Sequence, residues 1–593
     1  MSVAAQAGVL SAAGMHGKMQ ENASGGNMLK ATVFARSSKQ PKDYFGQAGW
    51  PPACKPIKTI GPSVIFFGVY VLKKLLTASV LAPAVLAVPI VLAAHPPAAT
   101  KPAPAAAKAR HVAPAAIRLT HLPKANPGAL VVTRHHLTID GKVLDYTATT
   151  GYMPIRSGQG KLLANIFFTA FIKNTPAGKA DHRPLTFCFN GGPGAASNWL
   201  NIGCAGPFRL QLTPRGNVPP PPFKLVKNHQ SWLNATDLVF VDPVGTGYSR
   251  KAAGVPGQNF YGVTQDISSV ANFIRLYMTM YKRWSSPVFL GGESYGTTRA
   301  AGLSDYLSAH EGIDINGMIL ISCALNFQLI VPNFGNDTPY PLFLPTYTTT
   351  AWYYHKLSPE LEKHFHRAIA EAEHFAVNVY TPALEMGSRL SQARQQQIAA
   401  QMANLTGLSS RYILRAHLRV GPGMFEQQLL RNAHRVIGRM DTRLSAYTPN
   451  GVAGHSNFDP AMSRFTAAFT TGFNQLVRSK LHYKNFLPYR TLSNRVYPWH
   501  FGTGGMGFLY VTDNLQRGMI RDPSMKVLVC SGYFDLATPF FSTIYSMDHL
   551  QLSRKLQSHI KEVFFRGGHM VYHPHKMLVK LHKEVVQFIA SAK

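Results

Sequence analysis

The pentapeptide Gly292-Glu293-Ser294-Tyr295-Gly296 is the sharpest chemical motif in this chain. It follows an apolar run, Pro287 to Leu290, and precedes a helical pattern through Leu303 and Leu307. In a strand-turn-helix setting, G-x-S-x-G is a nucleophile elbow, where glycines remove side chains that would clash in a strained turn. Ser294 then projects at a helix N-terminus, whose dipole favours developing negative charge. A serine hydroxyl is a poor nucleophile without a base, so a histidine and an acid are required. In hydrolases of this architecture the chain order is serine, acid, histidine. His569 follows the last apolar strand run, in the loop Arg566-Gly567-Gly568-His569-Met570, ahead of a C-terminal helix. Asp535 follows the preceding run, Val527 to Cys530, again in a loop. The bland alternatives are a turn-forming aspartate and one loop histidine among 24. Asp242, after the run Leu238 to Val241, is the second choice of acid, but it precedes Ser294.

Acyl transfer also needs two donors aimed at the oxygen of the tetrahedral intermediate. One is the backbone N–H of Tyr295, the residue after the nucleophile. The other is expected from a glycine loop after an early strand, and Asn190-Gly191-Gly192-Pro193-Gly194 behind Leu185 to Phe189 fits. His569, His573 and His575 have a spacing that could suggest a metal, but no matching carboxylate cluster accompanies them. His573 and His575 are read as surface loop histidines, and no metal or cofactor is expected.

The elements that must position these groups are legible as short buried strands. Residues 129 to 150 and 162 to 173 alternate in strand fashion, and β-branched and aromatic runs recur at Leu185–Phe189, Leu238–Val241, Val288–Leu290, Met318–Ile321, Val527–Cys530 and Val563–Phe565. Helical patterns lie between them, with Val270, Phe273, Ile274, Tyr277 and Tyr281 on one face. This alternation predicts an α/β sheet wound on both faces. Residues 335–500 differ, being mostly helical in period, for example Leu361–Phe375, Gln392–Leu405 and Met424–Met440. They read as a helical cap inserted between a first part, 117–334, and a second part, 501–593, of one domain.

Apolar residues make up 46% of the 593, which supports a large core and excludes disordered and collagen-like classes. Lys and Arg number 60 against 27 Asp and Glu, a net charge of +33. That balance raises a nucleic-acid hypothesis, but it comes from scarce acids rather than basic runs, so a scattered solvated surface is preferred and no nucleic-acid partner is expected. Five cysteines, Cys54, Cys188, Cys204, Cys323 and Cys530, form no C-x-x-C pair.

The front of the chain reads separately. Residues 1–70 form an N-terminal extension of uncertain status. Lys73 and Lys74 precede the apolar stretch Leu75 to Ala94, which Pro83 and Pro89 interrupt. Within 71–94 this favours a cleaved export signal over a membrane anchor, with translation then starting near Val71 or Leu72. Residues 95–116 are an Ala/Pro-rich tether. Export to the periplasm or medium is expected, with membrane association only if 71–94 stays uncleaved.

Five stretches together resemble the serine carboxypeptidase family (peptidase family S10), most of all its bacterial exported branch. They are FNGGPGAASNWL (189–200), NHQSWLNATDLVFVDPVGTGYSR (228–250), GGESYGTTRAAGLSDYL (291–307), KVLVCSGYFDLATPFFS (526–542) and GGHMVYHPHK (567–576). The resemblance implies an α/β-hydrolase fold with a mostly helical cap insertion. It implies Ser294 as nucleophile, Asp535 as acid and His569 as base, with Gly192 and Tyr295 as oxyanion donors. It implies that Asn190, Gly191 and Glu293 bind the substrate's terminal carboxylate. Glu293 would share a proton with it, because two carboxylates cannot sit together fully ionised, which favours acidic pH. The chain departs from the family at three places. Ala195 stands at the usual cysteine after NGGPG, Cys204 at a common glutamate, and Cys188 at a tryptophan. Half of the usual carboxylate-binding network is thereby missing. The expected function is a serine-type carboxypeptidase acting on peptides. The alternatives are a related serine hydrolase or acyltransferase, and a basic binding protein without catalysis.

Overall fold

Apolar runs of alternating face become the strands of one large sheet. The computed structural model describes residues 130–175, 182–448, 458–502, 505 and 507–593. The extension 1–70, the signal-like stretch 71–94, the tether 95–116 and Cys54 lie outside the described residues. The sheet opens with an antiparallel meander, β1 (Val131–Ile139), β2 (Lys142–Arg156) and β3 (Leu162–Lys173). Asp140 and Gly141, at φ 50° and 74°, make the two-residue turn between β1 and β2, the twist that tight hairpins require. The remaining strands are β4 (Leu185–Phe189), β5 (Asp237–Val241), β6 (Val288–Glu293), β7 (Gly317–Ile321), β8 (Lys526–Gly532) and β9 (Ile560–Phe565).

Their spatial order is β1-β2-β3-β5-β4-β6-β7-β8-β9, with a two-residue strand Arg250–Lys251 beside β3. From β5 to β9 every pairing is parallel, so each connection must cross over the sheet. The chain leaves β4 for β5 on one side and then places β6 on the other. Such a reversal opens a crevice at the carboxyl ends of the strands, the usual ligand site of wound sheets. This is the α/β-hydrolase architecture expected from the sequence.

Strand residues feed two cores alternately, as a period of two requires. Phe187, Val239, Leu290 and Leu320 face one side, against α1 (Val263–Met280) and α2 (Tyr295–Tyr306). Cys188, Phe240, Phe289 and Ile319 face the other. In α1 the face Val270, Phe273, Ile274 and Tyr277 is buried, as its spacing predicts.

Between β7 and β8 the chain is mostly helical. It includes α3 (Pro339–Tyr353), α4 (Phe365–Phe375) and α5 (Gln392–Thr406), which share a separate core of Phe343, Tyr347, Ile398 and Met402. The stretch Leu361–Phe375 is two helices broken at His364, not one. Met424–Met440 is also not one helix. The helix there ends at Gln428, His434 turns left-handed at φ 52°, and Arg435–Ile437 pairs as a strand with Ser445–Tyr447. The β-branched pair Val436-Ile437 and the tertiary pairing override the helical period. A later helix, α6 (Pro460–Gln475), places Phe465, Phe469 and Phe473 in the sheet-face core, where Leu581, Val585 and Phe588 of the last helix, α7 (His575–Ala592), also pack.

Candidate active site

Ser294 sits between β6 and α2 with φ 59° and ψ −130°, a conformation costly for any residue with a Cβ. Its surroundings hold it there. Its N–H donates to the Ile321 carbonyl at 2.9 Å, and its own carbonyl accepts from the Thr297 N–H at 2.8 Å and the Thr297 hydroxyl at 2.7 Å. A Cβ on Gly292 would lie 2.3 Å from the Gly296 carbonyl oxygen, which explains why the motif needs small residues on both sides. The Ser294 side chain is half-buried.

Asp535 and His569 meet above β8 and β9. Asp535 Oδ2 accepts from His569 Nδ1 at 2.8 Å and from the Thr538 hydroxyl at 2.7 Å. Its Oδ1 accepts the N–H groups of Ala537 and Thr538 at 2.8 and 3.0 Å. The carboxylate is completely buried. Burial disfavours the imidazolium of His569, but the charge and hydrogen bond of Asp535, with the charge of Glu293, outweigh it and raise its pKa above 6.5. The His569 N–H donates to the Met440 carbonyl at 2.6 Å, and its carbonyl accepts from the Ser322 hydroxyl at 2.7 Å. Ser322 follows Ile321, the same residue that receives the Ser294 N–H, so one strand end ties His569 and Ser294 together. The insertion contributes too. Arg439 O accepts from Leu536 N at 3.0 Å, and Thr442 N donates to Phe534 O at 3.0 Å.

The glycine loop lies against the same helix N-terminus. A Cβ on Gly191 would fall 2.3 Å from the Tyr295 amide nitrogen, while Gly192 is exposed beside it. The loop is anchored from below by Arg299, whose Nη1 donates to the Asn190 carbonyl at 2.7 Å. Arg299 also makes two 2.8 Å bonds to Asp266, and both side chains are almost fully buried. Removing one partner of such a pair strands the other charge in the core. Arg299→Met is expected to cost about 3–5 kcal/mol, read as a lower urea midpoint. An unchanged midpoint would show that the pair is dispensable.

Glu293 is 3% exposed. Its Oε1 accepts from Asn190 Nδ2 at 3.0 Å. Burial is the main reason its pKa rises to about 7, with Asp535 adding to it and His569, Tyr572 and Asn190 opposing. Thus Ser294, Glu293, Asn190, Gly191, Gly192, Tyr295, Asp535 and His569 gather at the carboxyl ends of β4, β6, β8 and β9. Asp242 is not among them. It accepts from Ser197 N at 2.8 Å and the Tyr489 hydroxyl at 3.2 Å, bracing the glycine loop. His573 is no surface histidine. It is 5% exposed, its ring lies tilted against Phe465 with centroids 4.1 Å apart, and burial holds its pKa down to about 3. His575 is exposed at the start of α7. Cys188, Cys204, Cys323 and Cys530 are buried free thiols.

Several residues of the site escape the sequence reading, namely Thr538, Ser322, Met440 and Tyr572. Only Tyr572 has an indirect signal. The resemblance sets a glutamate where small Cys204 stands, and beside it the Tyr572 ring lies over Gly203.

Residues 139–571 match the family described as serine carboxypeptidase. The pheromone-processing carboxypeptidase KEX1 of Saccharomyces cerevisiae is 32% identical over 158 residues, 24% of this chain and 20% of that protein. Carboxypeptidase sxa2 of Schizosaccharomyces pombe is 28% identical over 27% of this chain and 29% of its own length. Serine carboxypeptidase-like 36 of Arabidopsis thaliana is 24% identical, over 31% and 36% respectively. The match therefore spans well under half of these relatives. The crystal structure of a prohormone-processing carboxypeptidase from Saccharomyces cerevisiae aligns with a TM-score of 0.46 at 17% identity, covering 75% of this chain and 91% of that one.

Proposed function

The chain belongs to the serine carboxypeptidase family, and from that premise we propose that it releases C-terminal residues from peptides through an acyl-enzyme on Ser294. His569 takes the Ser294 proton as the oxygen attacks the scissile carbonyl, then returns it to the leaving amine nitrogen. Asp535 orients the imidazole. The N–H groups of Gly192 and Tyr295 stabilise the oxyanion, and water later regenerates the serine. Asn190, Gly191 and Glu293 hold the terminal carboxylate. One observation carries the exopeptidase reading. Glu293, next to the nucleophile, is buried, bonded to Asn190, and half-protonated only near pH 7. A protonated carboxyl can share its proton with a substrate carboxylate, whereas an ionised one repels it.

The pH dependence follows with opposite signs for two substrates. A neutral His569 is needed as base, so turnover rises with pH through its raised pKa. Protonated Glu293 is needed only for a free C-terminus, so kcat/KM for free-acid peptides falls above about pH 7. The test incubates an N-blocked peptide and its C-amidated copy with the protein and follows products by mass spectrometry across this range. Stepwise loss of single C-terminal residues from the free acid alone supports the reading. Equal cleavage of both copies, or ester turnover with neither cleaved, would leave only a related serine hydrolase or acyltransferase.

The proposal extends to export, periplasmic or secreted, in a member of the bacterial branch. Its support is the apolar stretch behind Lys73 and Lys74. Among the described residues, no helix is long and apolar enough to cross a membrane. Membrane attachment enters only as an uncleaved 71–94. Peptides are the proposed partners, and nucleic acid is not among them.

A further inference from the structure

Asn190 accounts for one oxygen of Glu293. The other, Oε2, is buried with no hydrogen-bond partner among the described residues. The Tyr572 side chain comes to Glu293 from the loop that carries His569, three positions further on. Tyr572 is 1% exposed, and a Cβ on Gly203 would lie 2.5 Å from its ring carbon Cε2. Its hydroxyl donates a long bond of 3.4 Å to the Trp199 carbonyl. The next residue, Leu200, donates its N–H to Asn190 Oδ1 at 2.9 Å, which turns the Asn190 amide toward Glu293. One turn, Trp199-Leu200, therefore orients both Asn190 and Tyr572.

The phenol suits this place chemically. Burial keeps it neutral, since its pKa is pushed well above the ordinary 10. It has one proton and can also accept one. It can donate to an ionised Glu293. With Glu293 protonated, it can accept from the carboxyl while its own proton stays on the Trp199 carbonyl. The other groups facing Glu293 are His569, Asp535 and the neutral thiol of Cys204. Cys204 directs its Sγ at the Leu200 carbonyl, 3.7 Å away, so it does not take this role.

We propose that Tyr572 is a positioning residue for recognition of the substrate's terminal carboxylate, its hydroxyl working with Asn190 to hold the Glu293 carboxyl toward that group. This rests on the carboxypeptidase reading above. A free-acid peptide uses the arrangement, whereas a substrate without a C-terminal carboxylate does not.

The test is Tyr572→Phe, which keeps the ring against Gly203 and removes only the hydroxyl. KM for a free-acid peptide is expected to rise about tenfold with kcat nearly held, the loss of one hydrogen bond to a charged group. The alkaline limb of kcat/KM should move to higher pH, because a donor that favours the ionised Glu293 is gone. Turnover of an N-blocked amino-acid ester should match wild type, which separates positioning from misfolding. An unmoved KM and alkaline limb, or an equal loss on the ester, would overturn the role of Tyr572. A wild-type protein that cleaves free-acid and C-amidated peptides equally would instead overturn the carboxypeptidase reading, and this inference with it.

Discussion

Ser294→Ala is expected to lower kcat by about a million-fold on every substrate, and His569→Ala in the same chain to cost little more. The two groups act as one unit. The hydroxyl attacks only while the imidazole removes its proton, so either deletion abolishes the same step. The fold makes the prediction sharp. Ser294 is held at φ 59° by its N–H bond to Ile321 and by bonds from Thr297 to its carbonyl, and none of these uses the side chain hydroxyl. Alanine can occupy the same backbone position, so the loss reports chemistry and not collapse of the turn. A serine-directed fluorophosphonate should label wild type at this residue and leave the variant unlabelled. Residual peptide hydrolysis within about a hundredfold of wild type would remove Ser294 from the mechanism, since binding and oxyanion donors alone leave about 10³–10⁴ over water.

Ser294, Asp535 and His569 are readable from sequence for one physical reason. Ser294 and Asp535 follow short apolar runs buried on both faces, and His569 follows Val563–Phe565 at the sheet edge, where alternate residues are buried, so each run is recognisable as a strand and its end as a loop. The partners that tune them arrive from remote segments and leave no periodic trace. Met440 reaches His569 from the insertion, and Tyr572 settles over Gly203 because that turn has no side chain to exclude it. The helical period of 335–500 does not say which core Pro460–Gln475 joins, and its phenylalanines cover His573. The helical pattern of Met424–Met440 ends at Gln428, and His434 then turns left-handed into the pairing with Ser445–Tyr447, which local composition does not disclose. Electrostatics are the least legible layer. That Glu293 is held near 7 depends on burial and on Asp535, neither of which its neighbours in sequence disclose.

Asp535→Asn is expected to lower kcat about ten-thousand-fold at neutral pH while leaving the protein folded. The hydrogen-bond pattern around the carboxylate determines which way the amide must face. Oδ1 accepts two buried backbone N–H groups, from Ala537 and Thr538. If the amide nitrogen took that place, donor would face donor and both N–H groups would lose their partner, a cost of about 1–3 kcal/mol each. The amide oxygen therefore stays there, and the nitrogen faces His569 Nδ1, where Oδ2 now accepts at 2.8 Å. A donor at that position requires Nδ1 to be unprotonated, so the neutral ring carries its proton on Nε2. The base then presents an N–H where Ser294 needs a lone pair. The same change removes the main group that raises the His569 pKa, so the acid limb of what activity remains should move to lower pH. Rate–pH profiles of purified wild type and variant measure both effects. A loss below about tenfold with an unmoved acid limb would mean that Asp535 does not set the tautomer, and that another group orients the base.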